Sequence, residues 1–119
     1  DSLYAYNMET ILAEKIETML NRLELNGRTR DFYDIYLIYK KEWQNINIDH
    51  FRKAIDKTFT KREYKGNPFE GLDIIRNSEI LKERWNKYQR NFSYAEGIEF
   101  EDIMNCLEIM IEQFEPVGV

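Results

Sequence analysis

Cysteine, histidine and proline are all scarce in this sequence of 119 residues. The single cysteine, Cys106, can make no internal disulfide, which excludes a stapled secreted scaffold, and no amino-terminal stretch has the charged-then-apolar layout of a secretory signal. A reducing cytoplasm is the expected location. The single histidine, His50, leaves a Ser-His-Asp triad or a His-based metal centre almost nothing to draw on. Long apolar runs are also missing: Ile103 to Phe114 is broken by Asn105, Glu108, Glu112 and Gln113, short of the roughly 18 residues of a membrane span, so no membrane association is expected. None of the five glycines opens a Walker-type or dinucleotide-type loop.

What is present is apolar and aromatic. Hydrophobic residues make up 43% of the chain and aromatics 14%, enough to build a core, so disorder is excluded and residues 1–119 are expected to form a single domain. With only Pro68 and Pro116 as prolines, apolar residues recur at spacings of three and four, the helical period, and the fold class is mainly α. A first helix over about Met8 to Leu25 carries the stripe Ile11, Leu12, Ile16, Met19, Leu20 and Leu23, with Asn7 as its cap and Asn26-Gly27 as its stop. A second, from about Arg30 to Lys41 after Thr29 as cap, turns Phe32, Ile35, Tyr36 and Tyr39 inward. A third begins at Asp49 with Phe51, Ala54, Ile55 and Phe59 inside, and a loop over 64–71 with two glycines and a proline ends it. A short turn of Leu72 to Arg76 follows. A fourth helix capped at Asn77 or Ser78 uses Leu81, Trp85 and Tyr88, and a fifth, about Phe100 to Phe114, uses Ile103, Leu107, Met110, Ile111 and Phe114. This pattern predicts a bundle of about five helices over 7–119. Residues 1–6 read differently: Ser2 to Tyr6 alternates in size and is rich in tyrosine, which predicts a short extended segment, a strand with no partner.

Charge is unevenly placed. The formal net charge is −5, yet residues 92–119 hold seven acids and no base, whereas 45–66 hold six bases and three acids. The acidic last quarter repels phosphate backbones; Arg52, Lys53, Lys57, Lys61, Arg62 and Lys65 form either a solvated helix face or a surface for an anion such as RNA. Cys106, between Met104 and Leu107, reads as a small core residue, and Trp43 and Trp85 as helix-packing residues.

The densest polar group lies in the first two helices. Lys15 stands four after Ile11 and three after Leu12, so its stem starts at the border of the buried stripe and its amine can snorkel from a cleft wall. Asp31 and Asp34, three apart, share a side of the second helix in its first turns, where the helix dipole favours negative charge. Such a lysine and such carboxylates can line a phosphate or metal site, or can simply pair with Arg22 and Arg28; residue types alone do not separate these readings.

The run Tyr6-Asn7-Met8-Glu9-Thr10-Ile11-Leu12-Ala13-Glu14-Lys15-Ile16-Glu17, then Asn21-Arg22, then Arg28-Thr29-Arg30-Asp31-Phe32-Tyr33-Asp34-Ile35-Tyr36, resembles the carboxy-terminal half of the AbiEii-type nucleotidyltransferase toxins of abortive-infection and type IV toxin–antitoxin systems. The family pattern is an Ala-Glu-Lys on a helix, an Arg, then Arg-x-Lys-Asp-x-Tyr-Asp-Leu; here Arg30 takes the lysine position and Ile35 the leucine position. The likeness continues more weakly through Trp85, Phe92 and Phe100-Glu101-Asp102.

This resemblance implies the carboxy-terminal part of a nucleotidyltransferase-like fold, in which Lys15 matches the phosphate-contacting lysine, Arg28 and Arg30 flank the nucleotide, and Asp31 with Asp34 matches the acidic fourth motif of the catalytic set. It implies an NTP and Mg²⁺ for the complete protein, an acceptor such as RNA, a cognate antitoxin and a role in phage defence. The family's Gly-Ser turn and paired metal-binding carboxylates are absent: no glycine precedes a serine and no Asp-x-Asp occurs. The chain alone is therefore expected to be inactive and free of cofactors, a fragment whose missing amino-terminal sheet would once have paired with Ser2 to Tyr6. The alternative is a small helical interaction module or antitoxin-like adaptor in which the polar cluster is structural.

Overall fold

The computed structural model of the chain describes residues 2–114. Six helices follow one another: α1 (Ser2–Arg22), α2 (Arg30–Glu42), α3 (Ile48–Lys61), α4 (Pro68–Arg76), α5 (Glu79–Asn91) and α6 (Phe100–Ile111), and no strand occurs among the described residues. Single 3-10 turns at Leu23–Leu25, Trp43–Asn45 and Ser93–Ala95 connect α1 to α2, α2 to α3 and α5 to α6. Helix α1 packs against α2, α3 and α4, and α6 closes the other side against α2 and α4.

The helical period explains the core. Leu12, Ala13, Ile16, Met19 and Leu20 of α1, Phe32 and Ile35 of α2, Phe51 and Ile55 of α3, Leu72 and Ile75 of α4, and Ile103, Met104, Leu107, Met110 and Ile111 of α6 are all buried in one cluster. Each enclosed Leu or Ile contributes about 1.5–3 kcal/mol relative to exposure, so the contacts of α1 dominate what holds the bundle together. Trp85 is enclosed between α5 and the chain leading into α6, its indole Nε1–H donating to Ile98 O at 2.8 Å, and Trp43 packs edge-on against Phe51 at 5.5 Å. Cys106 is buried, and burial pushes its thiol up from its ordinary value, which keeps it protonated and inert.

Several expectations from the sequence need correction. The extended segment at 1–6 is not extended where it is described: Ser2 to Tyr6 is the opening of α1, because nothing between Ser2 and Arg22 breaks a helix and the size alternation lacked a neighbouring strand to use it. The Asn7 cap therefore disappears into the helix. Ile11 is exposed, since the buried stripe runs through 9, 12, 13, 16, 17 and 20 instead. The stop comes before Asn26-Gly27: Leu23 takes φ +51° directly after Arg22, a left-handed conformation that costs a bulky side chain about 1–2 kcal/mol.

The loop at 64–71 is also shorter than expected. Asn67 caps α4 by accepting from the backbone N–H of Phe69 and Glu70, and Pro68 occupies the first helical position, where its missing N–H costs nothing. The expected short turn at Leu72 to Arg76 is the second half of this helix. Gly71 lets α4 lie close to α1: a Cβ there would stand 3.1 Å from Leu20 Cδ2. Ser78 caps α5 by accepting from Leu81 N–H, while Thr29 precedes α2 without a side-chain cap bond.

Candidate functional site

Two helices bring the sequence-distant polar residues together. Lys15 leaves α1 at the edge of its buried face, and Asp31 and Asp34 leave the first turns of α2, which follows after the turn at Leu23–Leu25 reverses the chain. Asn26 shapes that reversal: its side-chain Oδ1 accepts from the Arg28 backbone N–H at 3.0 Å, and Arg84 of α5 donates to the carbonyls of Glu24 at 2.9 Å and Asn26 at 3.1 Å. The ammonium of Lys15 then donates to Asp31 Oδ1 at 3.2 Å and to Asp34 Oδ2 at 2.9 Å.

The remaining oxygens face arginines held more loosely. Arg28 Nε is 3.5 Å from Asp31 Oδ2 and Arg30 Nε is 3.7 Å from Asp34 Oδ1, with the two arginine side chains 62% and 75% exposed. The Asp31 side chain is only 3% exposed, and its Oδ2 is a buried acceptor that receives no hydrogen bond. All five residues singled out from the sequence, Lys15, Arg28, Arg30, Asp31 and Asp34, therefore meet at one place. A buried carboxylate oxygen without a hydrogen-bond donor is costly, and here the Arg28 guanidinium at 3.5 Å is the charge that offsets it.

The donor set suits an anion better than a metal ion. Two carboxylates stand among three cations, so Mg²⁺ would have to displace Lys15 and face both guanidinium groups. Among the described residues, no group of three or more His, Cys, Asp or Glu is placed to hold a metal. These residues do not fit the ion on their own.

An aromatic group borders the cluster. Tyr33, next to Asp34 on α2, lies 4.8 Å from the Tyr94 ring, and the Tyr94 hydroxyl is 2.6 Å from that of Tyr88. Burial, then the hydrogen bond with Tyr94, holds the Tyr88 phenol well above its ordinary value of 10.0; Arg30 opposes this and Asp34 adds to it. An open, polar cleft lined by Asn86, Gln89, Arg90, Asn91, Ser93 and Glu96 lies on α5 and the turn after it.

Sequence reasoning missed a second ionic group on α1. Arg62 of α3 donates to Glu17 Oε1 at 2.9 Å, to Glu14 Oε2 at 3.0 Å and to Thr18 Oγ1 at 3.1 Å, and Asn21 Nδ2 donates to the other oxygen of Glu17 at 3.1 Å. It also missed Glu9, which is buried, accepts from Asn47 N–H at 3.0 Å and lies 3.6 Å from His50 Nδ1. The signal was available: Glu9 and Glu17 stand at the spacing of the buried stripe, four on either side of Ala13.

A family profile described as nucleotidyl transferase AbiEii toxin, type IV TA system, matches residues 2–106. No curated protein and no solved structure matches.

Proposed function

The chain belongs to the AbiEii family of nucleotidyl transferase toxins of type IV toxin–antitoxin systems, and we propose from that premise that its first two helices form the phosphate-facing wall of a nucleotidyl transfer site. In this reading the NTP phosphates approach the amine of Lys15 and the exposed guanidinium groups of Arg28 and Arg30. Asp31 and Asp34 hold Lys15 in place until the phosphates arrive, and the partly exposed Asp34 carboxylate accepts from a hydroxyl of the nucleotide or of the acceptor. The acceptor hydroxyl oxygen attacks the α-phosphorus, pyrophosphate leaves, and the hydroxyl proton passes to a base. The acceptor is taken to be an RNA end, the partner that silences the toxin a cognate antitoxin, and the setting phage defence in the cytoplasm.

The observation that supports this reading is the meeting of Lys15 with both carboxylates at 3.2 and 2.9 Å beneath two exposed arginines. Its chemistry also limits it. Phosphoryl transfer with two metal ions needs carboxylates that bridge both; the Asp31–Asp34 pair is taken up by cations, and the sequence holds no Asp-x-Asp. On this reading the metal-bridging carboxylates come from another segment of protein, and the chain by itself transfers nothing.

The test is growth arrest in cells and transfer of label from α-labelled NTPs to RNA, with the complete gene product and its Lys15→Met and Asp31→Asn variants. Both activities should be lost while helical circular dichroism is kept. Retained transfer in either variant, or loss of the folded state in Asp31→Asn, would return the cluster to a structural role.

A further inference from the structure

The exposed aromatic side chains are not evenly scattered. Phe92 and Tyr94 are 43% and 50% exposed, and their rings stand 5.5 Å apart. Both are fixed from behind. Phe92 lies 4.6 Å from the Tyr88 ring, which is stacked at 5.4 Å on the enclosed Trp85. Tyr94 is held by the Tyr88 hydroxyl at 2.6 Å and by the Tyr33 ring at 4.8 Å. The short loop that carries Tyr94 is pinned by Gln89 Nε2, which donates to Ala95 O at 3.1 Å and Ile98 O at 2.7 Å, and it turns at Gly97 with φ +85°. The outcome is a rigid pair of rings with one side on the core and the other in water.

This surface is joined to the helix of the ionic cluster by a ring contact: Tyr94 lies 4.8 Å from Tyr33, and Tyr33 sits on α2 between Arg30 and Asp34. A single ligand that satisfies both places carries a flat unsaturated ring at one end and negative charge at the other. Resting on the phosphate reading of the cluster, we propose that Phe92 and Tyr94 form a nucleobase-stacking subsite, occupied by the base of a nucleotide whose phosphates lie toward Arg30. Aromatic faces accept any base, because every base has a π-face. The seven acids and no base of residues 92–119 repel an extended polyanion, so the occupant is one nucleotide or a strand end rather than a long strand. The base belongs either to the NTP or to the terminal residue of the acceptor.

Equilibrium binding of four probes separates these sources: ATP, CTP, inorganic tripolyphosphate and a short single-stranded RNA. Tyr94→Leu should weaken at least one base-bearing probe by about ten-fold and leave tripolyphosphate unchanged. Tyr94→Phe, which keeps the ring and loses only the hydroxyl contact with Tyr88, should retain most of the affinity that Tyr94→Leu loses. Loss confined to ATP and CTP assigns the NTP base, and loss confined to RNA assigns the acceptor end. Phe92→Leu provides the second variant should Tyr94→Leu fail to fold, as judged by melting. Unchanged binding of every probe by the leucine variants, or no binding of any base-bearing probe by the unsubstituted protein, overturns the stacking subsite. Tripolyphosphate binding indifferent to Lys15→Met overturns the phosphate reading alone.

Discussion

Helix α1 carries two ionic groups built from nearly the same letters, and they differ in how completely they are satisfied. On its α3 side, Arg62 bridges Glu14 and the buried Glu17, and Asn21 takes the last Glu17 oxygen, so both oxygens of the buried carboxylate are engaged. On its α2 side, Lys15 bridges Asp31 and the partly exposed Asp34, yet Asp31 Oδ2 receives no hydrogen bond and the nearby arginines reach into water. The first arrangement is complete and fastens two helices. The second leaves one buried carboxylate oxygen with no hydrogen bond and only the Arg28 guanidinium at 3.5 Å to offset its charge.

Several measurements can break or sharpen that contrast. The largest expected effect on stability is at the completed group: Arg62→Met leaves Glu17 buried with only Asn21 to serve it and should cost roughly 3 kcal/mol, read by urea unfolding. A cost no greater than that of a surface substitution would erase the distinction between the two groups. Asp31→Asn should shift the unfolding midpoint much less, by about 1 kcal/mol or below, because the isosteric amide keeps the shape and Asp34 still pairs with Lys15, while transfer activity disappears. Ser78 provides a neutral reference of the satisfied kind: it donates to Glu24 Oε2 at 2.7 Å and caps α5, so Ser78→Ala should cost about 1 kcal/mol without touching activity.

The smallest effect is alkaline. The folded pKa of Tyr88 is raised above 10.0, so the stability it contributes is fully present below pH 10.0 and is lost as the pH rises beyond it. Tyr64, raised chiefly by burial and then by Glu17, acts in the same direction. The melting temperature should therefore fall more steeply between about pH 9 and 11 in the unsubstituted protein than in Tyr88→Phe. Equal slopes would mean that the tyrosine pair beside Arg30 is not held as tightly as its geometry indicates.

The sequence announced most of the helices and the convergence on α1 and α2, because both depend on the helical period alone. Leu12, Ile16, Phe32, Ile35 and Leu107 are buried where that period puts them, and Lys15 emerges at the border of the stripe as its position relative to Leu12 requires. What stayed hidden depends on partners far away in the chain. Arg62 lies 45 residues from Glu17, and nothing near either residue announces the other. Glu9 and Glu17 occupy core positions that hydrophobicity alone assigns to apolar side chains, and only the donors from Asn47 and Arg62 make their burial tolerable. The opening of α1 was misread because alternation over five residues fits a strand or the edge of a helix equally well. Tyr94 entered no expectation, since it sits on a short turn whose orientation is set by Gln89 and Gly97 rather than by any repeat.

The placement of the two tryptophans gives the molecule an internal optical pair. Trp85 is sealed from water and touches Tyr88, one ring away from Tyr94, whereas Trp43 sits half-buried against Tyr39 and Phe51 at the far end of α2. Emission from the first comes from an indole stacked on Tyr88, behind the exposed Phe92 and Tyr94, and emission from the second from an indole packed on Tyr39 and Phe51. A Trp43→Phe protein keeps a single indole, placed so that the proposed base at Phe92 and Tyr94 can be looked for in its emission without any attached dye.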